Sequence, residues 1–164
     1  MTIEVGQVLW LKLPFGKTDD ISKVYHPYLV LDILPGTIQV LEVGQIDSVK
    51  DKMWILTKEA NKKIKVDHPK ETVLYQLSYI QLDKKIQIEY FDEITKYRDC
   101  QETLSSNRLK EVIAAYYSYH QKHAIEDTKS MYFTREEIES LNPLSQWINA
   151  QKDRLILNDV DSDK

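Results

Sequence analysis

The stretch "KVYHPYLVLDI" places His26 between a polar loop and an apolar, branched run. A histidine there can exchange a proton near neutral pH and act as a general acid or base. Pro27 biases His26 toward an extended backbone. The same spacing also fits a plain turn residue at the mouth of a strand. Downstream, "GQIDSVKDK" (44–52) gathers Gln45, Asp47 and Ser48 with Lys50 and Lys52. Small polar groups beside lysines suit a phosphate, which takes hydrogen bonds and positive charge together. A solvated hairpin tip has the same composition. Tyr79 in "SYIQ" is either a stacking surface for a base or a core aromatic. His120 and His123 share one side of a helical repeat, which starts a metal site or marks a half-exposed helix face. No third ligand is evident. No Walker loop, dinucleotide glycine fingerprint or HExxH occurs. Nothing in the pattern asks for a cofactor or a metal.

The chain that positions these residues has 164 residues, room for one domain and an appendage. Its 42% apolar content is ordinary for a globular protein, and no apolar run nears the roughly 20 residues of a membrane span. "MTIEVGQVLW" does not read as a secretory leader. Cys100 is the only cysteine, so an internal disulfide and a cysteine-rich zinc site are excluded. A cytoplasmic location is expected. Residues 1–90 carry 12 Lys, no Arg and 12 acidic groups, so residues 91–164 supply the whole net charge of −4. Any nucleic-acid surface must therefore be a local lysine patch.

Alternation predicts a strand at 7–13, a nearly continuous apolar run rich in branched residues predicts one at 28–34, and 37–43, 53–57, 62–66, 78–83 and 85–90 are further strand candidates. "LPGT" (34–37) sets Pro and Gly where a type II turn wants them, so 28–43 reads as a hairpin. Short strands with short turns predict a small, strongly bent antiparallel barrel. A short helix is expected near 91–99. The strongest helix signal is at 105–126, on the repeat Leu109, Val112, Ile113, Tyr116, Tyr117, His120 and with a serine N-cap. Thr134 and Glu137 have capping-box spacing, and Asn142-Pro143 should end that helix. A further helix is expected from 144, and "NDVDSDK" reads as a frayed acidic tail. The division is thus a barrel with its helix over 1–126 and a helical extension over 127–164. Phe133, Leu141, Leu144 and Trp147 in the extension fit either a cover over a binding groove or a buttressing layer.

Taken together, "VGQVLWLKLP", the polar loop before "HPYLVL", "TIQVLEVGQIDS" and "KETVLYQLSYIQLDKK" resemble successive stretches of the PemK/MazF growth-inhibitor toxins. The likeness runs over residues 3–120 and rests on the order of elements. It implies an SH3-like barrel and a homodimer. It also implies a metal-independent endoribonuclease of single-stranded RNA, usually mRNA, restrained by a cognate antitoxin. His26 stands where the family has its catalytic arginine, and Ser48 is the hydroxyl nearest to the family's threonine. The roles implied are His26 as general acid/base, Lys23 as charge stabiliser and Ser48 as donor to the phosphate. Lys17, Gln45, Asp47, Lys50 and Tyr79 would bind RNA. The competing reading is a non-catalytic barrel that binds RNA or a protein partner.

Overall fold

The computed structural model describes residues 2–14, 25–45, 58–64, 78–98 and 100–162, without the side chains of 45, 61, 63, 64 and 154–162. Among these residues seven strands form one mixed sheet. They are β1 (Val8–Leu11), β2 (His26–Leu34), β3 (Thr37–Gln45), β4 (Asn61–Ile64), β5 (Ser78–Gln81), β6 (Lys85–Glu89) and β7 (Ser130–Phe133). The helices follow: α1 (Ser106–Lys122), α2 (Arg135–Leu141) and α3 (Leu144–Ser162). The expected strand at 53–57 lies outside the described residues. No described helix is long and apolar enough to cross a membrane.

β1, β2 and β3 form an antiparallel run, and the β2–β3 hairpin turns where the Pro-Gly pair predicts, with Gly36 at φ 75°. A bulge between Val30 and Asp32 shifts the hairpin register. Along its other edge β3 is shared. Thr37–Val40 pair with β6, and Val43–Gln45 pair with β5, which in turn holds β4. The sheet is not closed, since β1 and β4 stand at opposite ends of the path.

Alternation sends successive side chains to opposite faces and builds two cores. Leu9, Leu11, Val30, Ile38, Val40, Ile86 and Ile88 line one face, covered by Ile94, Tyr97, Phe133 and Ile138. Val8, Leu29, Leu41, Val43 and Ile80 line the other, where α1 lays down Val112 and Tyr116. Each such side chain contributes about 1.5–3 kcal/mol by leaving water.

Three expectations change in detail. The short helix is a 3-10 turn, Asp92–Tyr97, a geometry suited to short pieces. Ser105 is the N-cap residue of α1, but its side chain makes no capping bond. The last helix runs on to Ser162 instead of fraying at 158, since no Gly or Pro interrupts it. The capping box of α2 is present as predicted, with Thr134 and Glu137 bonded reciprocally.

The extension joins the first core. β7 pairs parallel to β6, burying Phe133, and Leu144 and Trp147 pack on the same cluster. It also closes the outer edge of β1. The Asn142 amide accepts from Lys12 N–H at 2.7 Å and donates to Lys12 C=O at 3.1 Å, matching the edge as a strand would. Trp147 Nε1 donates to the Trp10 carbonyl at 2.7 Å, and Leu9 forms a bridge with Arg98. Exposed edges invite pairing with other chains, and here the edge is occupied.

Two outcomes follow for stability. Asn142→Ala strands the buried partners of its amide and should cost about 2–4 kcal/mol in urea unfolding. Tyr97 donates to the Asn142 carbonyl at 2.7 Å. Burial, then Glu139 and Tyr25, push its hydroxyl up to about 12. The folded chain thus keeps a proton that the unfolded chain loses above about pH 10. That contribution is complete below pH 10 and is lost as pH rises from 10 through 12. Tyr97→Phe should flatten the alkaline fall in stability, measured by unfolding at pH 9 to 12.

Candidate functional site

The face that carries Ile38 and Val40 becomes polar at one end. On β3 the same alternation continues through Glu42 and Gly44. On β2 it runs through Val30 and Tyr28 to His26, the first residue of the strand. On β5, Tyr79 pairs with Gly44 and shares its face. His26 sits opposite Leu11 of β1, and Tyr28 sits opposite Glu42. His26 and Gly44 lie two residues beyond that last pair on their own strands. His26, Gly44 and Tyr79 therefore form a row across β2, β3 and β5. The outer two are two strand spacings apart, roughly 10 Å.

A Cβ at Gly44 would run into the ring carbons and hydroxyl of Tyr79, so the far end of that ring lies over the glycine. Tyr79 is half-buried, and burial, then the Glu42 carboxylate, raise its hydroxyl pKa.

The next row inward holds the charge. Glu42 is 7% exposed and accepts from Lys84 Nζ at 2.6 Å. Lys84 comes from the turn between β5 and β6. Beside Glu42, the buried Tyr28 hydroxyl has no hydrogen-bond partner among the described residues. Burial first, and Glu42 second, push its pKa far up, so it stays protonated. Beyond His26, Lys12 Nζ stands 4.7 Å over the Tyr25 ring.

Of the residues expected to act together, the structure brings His26 and Tyr79 to one face. The Gln45 backbone pairs with Ser78 beside them. Lys17, Lys23, Asp47, Ser48 and Lys50, and the side chain of Gln45, lie outside the described residues. Sequence reasoning missed Glu42, Lys84, Tyr28 and Gly44. One signal was present: in "TIQVLEVG" Glu42 has the parity of Ile38 and Val40, a charge on the buried face. No arginine occurs on any of the seven strands.

The helical histidines have structural partners. His120 Nε2 lies 2.6 Å from the Leu82 carbonyl, and His123 Nε2 lies 3.1 Å from Glu59. They tie the end of α1 to the β4–β5 region. Among the described residues no group of three or more His, Cys, Asp or Glu is placed to hold a metal ion.

No protein-family model matches the chain, and no curated protein matches it significantly.

The Gly44–Tyr79 contact gives a direct test. Gly44→Ala should cost about 1–3 kcal/mol, because the ring has to leave its seat. Adding Tyr79→Ala should recover part of that loss. A double-mutant cycle by urea unfolding should show coupling of about 0.5–3 kcal/mol; strict additivity would mean that the ring does not rest on the glycine.

Proposed function

We propose that the chain is a PemK/MazF-like endoribonuclease that cleaves single-stranded RNA, with the polar end of the sheet as its RNA surface. One observation carries the reading: His26 and Tyr79 share a face, with the Tyr79 ring seated over Gly44 on the strand between them. A base can stack on an aromatic ring at little cost in sequence preference, and about 1–3 kcal/mol per base comes from such stacking. A histidine exchanges protons where arginine seldom does. The antiparallel order β1-β2-β3, with β5 and β4 attached at the far end of β3, supports the SH3-like form of this reading. A homodimer and a cognate antitoxin complete it.

The second reading is a non-catalytic module for RNA or a protein partner. It is favoured by the missing arginine: the strands of this face offer no guanidinium to the phosphorus charge.

Incubation of the protein with mixed-sequence RNA in EDTA separates the two. The endoribonuclease gives discrete bands. His26→Ala should then slow cleavage about 10²–10⁴-fold, the usual effect of losing a general acid or base. Its stability should stay near wild type. His26→Arg should fail if a proton must be exchanged, and should match wild type if only charge is needed. Intact RNA after prolonged incubation would leave the binding module.

A further inference from the structure

We infer that Glu42 is the second proton-exchanging group of this site, taking the proton of the ribose 2′-OH while His26 delivers one to the leaving 5′-oxygen. The inference rests on the endoribonuclease reading and adds a catalytic residue to it. Three observations carry it.

The first is position. Tyr28 and Glu42 are a cross-strand pair, and His26 lies two residues before Tyr28. His26 and Glu42 are therefore diagonal neighbours on one face, about 7–8 Å apart along the backbone. In-line displacement at phosphorus needs one group on the entering oxygen and another on the leaving oxygen, each at hydrogen-bonding distance. Neighbours at this spacing can hold both.

The second is cost. Glu42 and Lys84 have side chains only 9% and 20% exposed, next to the Ile38–Val40 core. Taking both charges from water costs several kcal/mol per ion, and a well-packed apolar pair is often as stable or more so. The buried, unpartnered Tyr28 hydroxyl adds a further cost. Stability alone does not account for a charged pair and an orphaned hydroxyl in this place. The Tyr28 hydroxyl is strongly perturbed by its burial, and such groups cluster at functional sites.

The third is elimination. Burial, then Glu42, favour the protonated Tyr28 and Tyr79 hydroxyls, which therefore do not serve as bases. Lys84 is held by Glu42 and orients the carboxylate through its 2.6 Å bond. Among the described groups of this face, Glu42 and His26 remain for proton exchange.

The step balances without metal or cofactor. Glu42 removes the 2′-OH proton, the 2′-oxygen bonds to phosphorus, the bond from phosphorus to the 5′-oxygen breaks, and protonated His26 gives that oxygen its proton. The products are a 2′,3′-cyclic phosphate end and a 5′-hydroxyl end. Water then returns both residues to their starting states.

The test measures cleavage of a defined RNA oligonucleotide from pH 4 to 9 by wild type, Glu42→Gln, Glu42→Asp and the double variant Glu42→Gln/Lys84→Met. The double variant removes both charges of the pair together, so it guards against misfolding, and thermal unfolding is recorded for each. Glu42→Gln and the double variant should lose about 10²–10³-fold in kcat with KM near wild type, and the acid-side limb of the pH profile should disappear. Glu42→Asp keeps the carboxylate and should keep that limb at a reduced rate. Folded Glu42→Gln or double variant cleaving at the wild-type rate with an unchanged profile overturns the role of Glu42. If His26→Ala is still slow in that case, the endoribonuclease reading survives. Wild-type protein without cleavage overturns both.

Discussion

β3 is hydrogen-bonded along one edge to β2 and divides its other edge between β6 and β5. Much of the structure depends on that division. One nine-residue strand feeds two different partners, and the break falls at Leu41 and Glu42. The chain must turn from β5 into β6 beside these two residues. The turn brings Leu82 onto one face, into the core under α1, and Lys84 onto the other, against Glu42. Below the break, Tyr79 finds itself opposite Gly44. Above it, Ile86 and Ile88 continue the apolar face. The boundary between dry core and polar surface is therefore set by where β3 changes partners.

Much of the fold was legible in the sequence because its signals are local. The Leu34–Thr37 turn chemistry fixed the β2–β3 hairpin. Helical spacing gave α1, and Thr134 with Glu137 marked the start of α2. What the sequence did not disclose depends on pairings far apart along the chain. β7 is only four residues long, "SMYF", too short for alternation to register, and its parallel pairing with β6 is 45 residues away. Asn142 reads as a helix stop before Pro143, and it is one. Its second role, facing the edge of β1, spans 130 residues and leaves no local trace. The candidate site divides in the same way. His26 and Tyr79 were visible as residue types. Gly44 became meaningful only once Tyr79 was known to lie across it.

The site also shows a tension between packing and chemistry. The face that buries Val30, Ile38 and Val40 without exposure accepts, one step further along, an ion pair and an unpaired hydroxyl. A continuous apolar face would seal the same space with fewer unsatisfied groups. Tyr25 and His120 also bury unpartnered polar atoms among the described residues, and the part of the conflict that shares a face with His26 lies where the proposed RNA surface would give it a use. Fold alone does not decide that use.

The clasp of Asn142 and Trp147 on β1 also has a consequence in time. During synthesis the first strand emerges long before its edge partners do. At about 5–20 residues per second, 130 residues take on the order of ten seconds. For that interval β1 lacks its contacts with Asn142 and Trp147, and β6 waits through a shorter stretch of 45 residues for β7. The nascent chain thus passes through lengths at which β1 and β6 exist without the partners that later seal their edges.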